Sequence, residues 1–334
     1  MSALRYFSRR RFLTVGASTL ALASAARAGG LAPPAWQSCS SSSSPADEPS
    51  PAAGAREVAK RLTVPVHIDG KGPYRFIVDT GADRTVVATE VGVELGLARG
   101  EKVLLDGVVQ TMVTDTVSIR KLAFGSHASG NFSVPTLPRA LLDADGYLGL
   151  DFLDGHRVTF DFKGGLLKVS EPRPRFSADW TAQNEARVRT FGSSGHLRSL
   201  DCRVDGVPTA AFVDSGAEVS AANGPLLAAL GQRNPSFGEI GDIELIDITG
   251  GQIQGKVVMV KKIRLPGLGF DDCPLVIANF QVFKAWGLTR TPALLVGMNL
   301  LRQFSRVSVD YGLKELRFDL SASSAGQPYG NSTA

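Results

Sequence analysis

The most regular feature of the chain is an alternation of apolar and polar residues that reaches a tight turn and then runs back. Residues 64–68 alternate, Asp69-Gly70 follows, and residues 74–78 return as a second apolar run. An Asp-Gly pair between two such runs is typical of a β-hairpin. The same order recurs in residues 197–213 around Asp205-Gly206. The pattern therefore predicts two hairpins of the same design.

Both predicted hairpins lead into the same short motif. Residues 76–83 read Phe-Ile-Val-Asp-Thr-Gly-Ala-Asp, and residues 211–218 read Ala-Phe-Val-Asp-Ser-Gly-Ala-Glu. An apolar strand normally leads into a core, where an unpaired carboxylate is costly. Two such acids on matching strands, Asp79 and Asp214, suggest carboxylates that face each other and share a proton. That arrangement can activate a water molecule.

Other landmarks repeat in the same order. Short helical patterns end at Leu95-Gly96 and at Leu230-Gly231, and glycine is the expected residue just past a helix. Both this pair and the two aspartates are separated by 135 residues. The repeat indicates two similar halves.

The second part of each half repeats at a slightly longer offset. Residues 147–153 match residues 295–301, each with one glycine, Gly149 or Gly297. Strands predicted at 158–162 and 307–311 follow them. The sequence therefore predicts a mostly all-β protein with a few short helices and two lobes of roughly 115–135 residues, each large enough for its own core.

Charge gives no indication of a nucleic-acid partner. The chain has 36 lysines and arginines against 32 acids, and five of those arginines lie in residues 1–28, which hold no acid. The remainder is close to neutral, so no basic surface is implied.

The first residues have the form of an export signal. Ser8-Arg9-Arg10-Arg11-Phe12-Leu13 has the twin-arginine form, an apolar stretch follows, and Ala26-Arg27-Ala28 supplies a small-x-small cleavage site. The apolar stretch is short and interrupted by polar residues, which favours a cleaved signal over a membrane anchor. We expect residues 1–28 to be a twin-arginine-type signal peptide of a bacterial periplasmic protein, with no stable membrane insertion after its removal.

The rest of the chain divides by composition and repeat. The expected segments are a Ser/Pro/Ala-rich linker, an N-terminal lobe, an inter-lobe connection, a C-terminal lobe and a disordered tail, at residues 29–57, 58–172, 173–190, 191–320 and 321–334. Cys202 and Cys273 are candidates either for a disulfide or for two buried thiols. Cys39 is a poor match to a lipidation site, because Trp36 replaces the aliphatic residue expected before it.

The motifs resemble those of a known family. Residues 78–86, Val-Asp-Thr-Gly-Ala-Asp-Arg-Thr-Val, look like the active-site loop of retroviral-type aspartic proteases, and residues 291–301 look like their late strand-and-helix motif. The chain most resembles bacterial periplasmic retropepsin-like proteases with both lobes in one polypeptide. The resemblance implies a bilobal acid-protease fold, an aspartic endopeptidase that acts on protein or peptide substrates, no cofactor or metal, and an active monomer.

The resemblance also assigns roles to residues. Asp79 and Asp214 would be catalytic. Supporting residues would be Thr80, Gly81, Ala82, Ser215, Gly216 and Ala217, with the Thr80 and Ser215 hydroxyls bonded to the opposite loop. Gly149 and Gly297 would let a crossing strand pass tightly beneath each loop.

Two flap hairpins, which close over a substrate, are expected from the same resemblance. The candidates are Leu105-Asp106-Gly107-Val108 and Ile248-Thr249-Gly250-Gly251. One departure concerns the arginine that many retropepsins carry after the late glycine. Leu150 and Met298 stand there instead, so Asp83 and Glu218 lose that partner and either bind substrate backbone or face solvent.

Other chemistries find little support. The four histidines are scattered without HExxH spacing, and neither a GxSxG motif nor a Gly-rich phosphate loop is present. The rival interpretation is a catalytically inactive bilobal protein of the same fold that binds peptides or serves as a scaffold. Regulatory processing of periplasmic or membrane-anchored proteins is the role we expect for an active enzyme.

Overall fold

The structure is a computed structural model. It describes residues 61–171, 185–190 and 198–319, together with four short strands before residue 61. The expected signal, linker, tail and Cys39 lie largely or wholly outside the described residues. Of the signal, only two two-residue strands are described.

The first half of the chain is built mainly of strands. Its elements in chain order are β1 Ala17–Ser18, β2 Leu22–Ala23, β3 Ala53–Gly54, β4 Arg56–Val58, β5 Arg61–Ile68, β6 Lys71–Val78, β7 Val86–Ala88, α1 Thr89–Glu94, β8 Val103–Asp106, β9 Thr111–Thr114, β10 Thr116–Phe124, β11 His127–Leu137, α2 Arg139–Leu142, β12 Gly146–Leu148, α3 Leu150–Leu153, β13 Arg157–Asp161 and β14 Leu166–Ser170.

The second half repeats this order. Its elements are β15 Glu185–Arg189, β16 Arg198–Val204, β17 Val207–Val213, β18 Ala221–Ala222, α4 Gly224–Arg233, β19 Glu239–Asp247, β20 Gln252–Leu265, β21 Leu268–Ile277, α5 Gln281–Ala285, β22 Ala293–Val296, α6 Met298–Leu301, β23 Arg306–Asp310 and β24 Glu315–Asp319. The expected all-β, bilobal fold is confirmed.

The two predicted hairpins are present, as β5–β6 and β16–β17. Their Asp-Gly turns have matching left-handed backbones, with φ of 50° and 81° at Asp69-Gly70 and of 44° and 81° at Asp205-Gly206. Glycine and aspartate tolerate this conformation, which suits the twist of a two-residue hairpin.

Each lobe folds around one twisted sheet of the same design. The N-terminal sheet has the order β10-β11-β7-β12-β6-β5-β4, and the C-terminal sheet has the order β16-β17-β22-β18-β21-β20-β19-β2. In both, the second hairpin strand pairs in parallel with the strand that precedes the late glycine: β6 with β12, and β17 with β22. This pairing brings the late glycine next to the end of the hairpin.

A third sheet joins the lobes. Its order is β15-β24-β23-β13-β14-β3, and its central pair is β13 of one half against β23 of the other. The pair is antiparallel, with Thr159 opposite Ser308 at its centre and hydroxyl oxygens 2.9 Å apart. Strand β15 lies inside the stretch expected to be a mere connection.

Two ion pairs close the ends of this central strand pair. Arg157 donates two hydrogen bonds to Asp310, at 2.9 and 2.6 Å, and both side chains are buried. Arg306 pairs with Asp161 at 3.2 Å, with 39% and 23% of the side chains exposed. The two ion pairs therefore occupy equivalent positions in the interface between the halves, but one is buried and the other is partly exposed to solvent.

Two sequence expectations are settled by local detail. Gly231 was expected to follow its helix but lies inside it, because α4 continues to Arg233 and is capped by Asn234. A single glycine inside a helix costs only about 1 kcal/mol. Packing of the buried side chains of Leu226 and Leu230 holds this helix in place. Gly96, with φ of 62°, does follow its helix as predicted. Cys202 and Cys273 are free buried thiols, and burial raises the pKa of each to about 12.

Candidate active site

The two aspartates emerge from equivalent positions. Asp79 follows β6 and Asp214 follows β17, and each donates its backbone N–H to the strand beside it. The acceptors are the carbonyls of Leu148 and Val296, both at 3.0 Å. The parallel pairing that the apolar strands create therefore fixes both loops in the same way.

The two carboxyl groups are buried and close together. Both side chains are 0% exposed. Through Oδ1, Asp79 accepts the N–H of Gly81 at 2.9 Å and Asp214 accepts the N–H of Gly216 at 2.8 Å. A Cβ atom on Gly216 would lie 2.4 Å from Oδ2 of Asp79, so only glycine fits beside the opposite carboxyl.

The electrostatics of the pair favour a shared proton. The pKa of Asp214 is raised well above its usual value, first by burial and then by the negative charge of Asp79. The N–H of Gly216 opposes this by stabilising the carboxylate. Two carboxyls this close cannot both ionise cheaply, so the pair retains one proton over a wide pH range.

Thr80 and Ser215 join the two loops across the lobe boundary. The N–H of Thr80 donates to the Ser215 hydroxyl at 3.1 Å, and the N–H of Ser215 donates to the Thr80 hydroxyl at 3.0 Å. The hydroxyls themselves donate to the carbonyls of Val213 and Val78, at 3.3 and 2.7 Å. All four bonds cross between the lobes, so the relative position of the two aspartates is tied to backbone geometry.

The late glycines lie directly against these loops. A Cβ on Gly149 would be 2.4 Å from the backbone of Arg84, and one on Gly297 would be 2.6 Å from the carbonyl of Val219. Ala82 and Ala217 are fully buried, and their carbonyls accept the N–H groups of Leu150 and Met298 at 2.7 and 2.8 Å. Each loop is thus packed against the start of a short helix.

Sequence reasoning missed a second pair of equivalent contacts. Asp151 accepts the N–H and hydroxyl of Thr85 at 2.8 and 2.6 Å, and Asn299 accepts the N–H and hydroxyl of Ser220 at 2.8 and 2.7 Å. The same hydroxyls accept the N–H of each late glycine, at 3.2 and 3.0 Å. The sequence repeat contained a signal for these contacts. Thr85 and Ser220 are separated by 135 residues, and Asp151 and Asn299 by 148, which are the offsets of the two halves.

Tyr311 lies on one side of the site only. Its hydroxyl, buried, donates to the carbonyl of Thr80 at 3.4 Å. Burial and the nearby charges of Asp79 and Asp214 raise the pKa of this phenol well above its usual value. The matching position of the repeat in the other half is Phe162, which has no hydroxyl, so the surroundings of the two aspartates are not symmetric. Asp83 and Glu218 are both partly exposed beside the loops.

The flap candidates of the two lobes meet each other. Leu105 and Asp106 end β8, and Gly107 and Val108 begin its turn into β9. Residues 248–251 form the turn between β19 and β20. Val108 is fully buried in an apolar cluster that includes Ala217 and residues of the C-terminal lobe. The tip of the N-terminal hairpin is therefore docked on the opposite lobe.

No group of three or more histidine, cysteine or acidic side chains suited to holding a metal ion occurs among the residues that the structure describes. Within the same ranges, none of the helices has both the length and the apolar character needed to cross a membrane.

Two β lobes that face each other across a pair of buried aspartates define a bilobal protein of retropepsin-like fold. A family model described as aspartyl protease matches residues 64–152 and 200–300, more than half of the chain. The chain therefore belongs to the aspartyl protease family. No curated protein matches it.

Proposed function

We propose that the protein is an aspartic-type endopeptidase in which Asp79 and Asp214 form the catalytic dyad. The observation that carries this proposal is the placement of two fully buried carboxyl groups on equivalent loops, with the carboxyl of Asp79 directly against Gly216 of the opposite loop. Such a pair is costly to bury, and its arrangement suits water activation. Perturbed, mutually coupled acids are typical of catalytic sites.

The dyad would act without a covalent intermediate. The ionised carboxylate takes a proton from a bound water as the water oxygen attacks the scissile carbonyl carbon. The protonated carboxyl donates to the developing oxyanion, which gives a neutral gem-diol. As the C–N bond breaks, the carboxyl that took the water proton gives it to the leaving nitrogen, and one hydroxyl of the gem-diol returns its proton to the other, ionised carboxylate. The peptide is hydrolysed and the dyad again holds one proton.

The neighbouring contacts support this chemistry by fixing geometry. The exchanged bonds of Thr80 and Ser215 hold the two loops in register, and Gly216 allows the opposite carboxyl to approach. A catalytic pair that is positioned in advance needs no rearrangement during the reaction. Tyr311, adjacent to Thr80, makes the two halves of the dyad inequivalent.

The substrate class that we propose is supported by the flap hairpins and by the sequence of the leader. The flap hairpins would close over an extended peptide and exclude water. The twin-arginine-type leader supports export, so the substrates we propose are periplasmic or membrane-anchored proteins that undergo regulatory processing. Both half-sites lie on one chain, which supports a monomer as the active species.

The test is a digest of a denatured protein mixture by protein lacking residues 1–28, with and without pepstatin. We expect pepstatin-sensitive cleavage. Asp79→Asn and Asp214→Asn should each reduce activity at least a hundredfold, roughly the range of acid–base catalysis, and should leave the melting temperature unchanged or higher. Asp151→Asn is the matched control, because Asn299 already fills the equivalent position. Binding without cleavage would indicate the scaffold function instead.

Assembly is tested separately. Specific activity should stay constant on dilution, and light scattering should give the mass of a monomer. Activity that collapses on dilution, together with a dimer, would show that the two lobes of one chain do not form one site.

A further inference from the structure

One buried carboxylate outside the dyad joins the two flap hairpins. Asp247 ends β19, is 1% exposed and accepts hydrogen bonds on both of its oxygens. Through Oδ1 it accepts the N–H groups of Thr249 and Gly251, both at 2.9 Å, and the Thr249 hydroxyl. These bonds stabilise the turn of its own hairpin.

The second oxygen of Asp247 contacts the other lobe. Oδ2 accepts the N–H of Val109 at 2.8 Å and lies 3.4 Å from the nitrogen of Gln110. Gln110 also donates its side-chain amide to the carbonyl of Thr249 at 3.1 Å. We call this set of bonds between residues 109–110 and residues 247–249 the inter-flap contact.

The fit around the inter-flap contact is tight. A Cβ on Gly107 would lie 2.2 Å from Oδ2 of Asp247, so the carboxylate packs directly against the opposite backbone. Gln281 of the C-terminal lobe adds two bonds, from its N–H to the carbonyl of Val108 at 2.8 Å and from its amide to the Thr111 hydroxyl. The N-terminal flap is therefore closed onto the opposite lobe.

We propose that Asp247 is a positioning residue that controls opening of the flaps, because a peptide cannot enter between the hairpins until its bonds to residues 109–110 break. This proposal rests on the proposed function and deepens it. Hydrogen bonds to a charged group are stronger than those between neutral groups. A peptide bound beneath the hairpins would leave these bonds in place, so the proposal has the inter-flap contact close the site in the free and the bound protein alike.

Asp247→Asn separates the two roles of the side chain. The asparagine oxygen still accepts the bonds of its own turn, while its NH₂ group faces the N–H of Val109 and cannot accept from it. Amide hydrogen exchange of the wild-type protein and the variant reports the result directly. We expect the exchange rate of the Val109 amide to rise about tenfold or more, with the Gly251 amide much less affected.

The kinetic readout uses pepstatin as the probe. Removing the inter-flap contact destabilises the closed state of the free and the bound protein equally. The association and dissociation rate constants of pepstatin should therefore both rise about tenfold, and its Kd should change by less than about threefold. A role limited to folding would not raise both rates together.

Two further variants make the test specific. In Gly107→Ala, the added methyl group would displace Oδ2 of Asp247 from residues 109–110 and leave the turn bonds of Asp247 intact. This variant should therefore show the same rise in Val109 exchange and in both pepstatin rate constants, even if Asp247→Asn folds poorly. Asp205→Asn is the control, because Asp205 likewise accepts the N–H groups of Lys261 and Lys262, but within one lobe. It should leave both pepstatin rates unchanged.

Each alternative outcome is decisive. Unchanged Val109 exchange in both Asp247→Asn and Gly107→Ala would overturn the proposal, as would faster exchange with unchanged pepstatin rates. A rise in the dissociation rate alone would show that Asp247 contacts the ligand. If the wild-type protein neither cleaves the denatured protein mixture nor binds pepstatin, the proposed protease function fails, and the proposal that rests on it is overturned with it. Val109 exchange would then still show whether the inter-flap contact itself exists.

Discussion

The backbone N–H of Ser215 donates to the hydroxyl of Thr80 at 3.0 Å, and the N–H of Thr80 donates to the hydroxyl of Ser215 at 3.1 Å. The two residues are 135 positions apart in the chain and belong to different lobes. Each side chain thus satisfies the backbone of the other, and neither bond can form unless both loops are in place. This reciprocity makes the lobe boundary and the site one structural unit.

Ser215→Ala should therefore destabilise the fold as well as the site. The variant leaves the buried N–H of Thr80 without its acceptor and the carbonyl of Val78 without its donor. A buried group left unsatisfied costs about 1–3 kcal/mol, so the unfolding free energy measured by urea denaturation should fall by about that much. Ser215→Thr keeps the hydroxyl and should stay near wild type. Equal stability of the two variants would contradict the argument.

Asp151 should make stability depend on pH. The pKa of this carboxyl is raised in the folded state, mainly by burial, although the hydrogen bonds from Thr85 oppose the shift. The folded protein therefore holds this proton to higher pH than the unfolded chain does, and the stabilisation is lost as pH rises from about 4 through the folded pKa. Asp151→Asn should be more stable than wild type at pH 7 and equal to it near pH 3.

Thermal or urea unfolding of both proteins across this range measures the effect of Asp151. The asparagine oxygen can accept the two Thr85 bonds as Asn299 does for Ser220, so these contacts are retained. A difference in stability that is the same at every pH would point to lost hydrogen bonds instead.

The two inter-lobe ion pairs should differ sharply in energy. Removing one partner of a buried pair strands a charge and costs about 3–5 kcal/mol, which is our expectation for Arg157→Met, because Asp310 is 0% exposed. An exposed pair contributes at most about 1 kcal/mol, so Arg306→Met should have a small effect. Chemical denaturation of the two variants tests equivalent positions of the repeat. Similar losses would refute the role of burial.

The pH optimum should depend on Ala82 and Ala217. A serine hydroxyl in that position could donate to the neighbouring carboxylate and lower the apparent pKa values of the pair, whereas the methyl group of alanine has no donor. Because burial raises the pKa of Asp214, the singly protonated dyad should persist to weakly acidic or near-neutral pH. We expect a bell-shaped profile of kcat/KM centred there.

The double variant Ala82→Ser, Ala217→Ser should move this profile towards acid. Ala222→Ser, a buried substitution away from the dyad, is the control and should not move it. Maximal wild-type activity in strong acid, or an unmoved profile in the double variant, would show that another group sets the optimum.

Local sequence signals were enough for the hairpins and the repeat. Asp-Gly turns and alternating strands specify β5–β6 and β16–β17, because backbone conformation and side-chain period act over a few residues. The matching offsets then identified the two lobes and the facing aspartates. Gly231 was interpreted wrongly, since packing of Leu230 outweighs the small helix penalty of one glycine.

Contacts between distant parts of the chain were beyond the reach of the pattern. Asp247 ends an ordinary strand in sequence, and its contact with Val109 depends on how the two lobes are placed. The pairs Arg157–Asp310 and Arg306–Asp161 occupy equivalent positions of the sequence repeat. The sequence therefore does not show that the first pair is buried and the second is partly exposed. Long-range electrostatics and burial are properties of the assembled molecule.

The pairing of β13 with β23 has a consequence for the covalent continuity of the chain. In an isolated half, each of these strands would be an exposed sheet edge. Its charged residues would still match those of the other strand in the register that the structure shows. No strand pairing described in the structure requires the peptide bonds between residues 171 and 185. Two separately expressed fragments are therefore expected to recombine into a working whole by complementation, and each alone should be prone to aggregate.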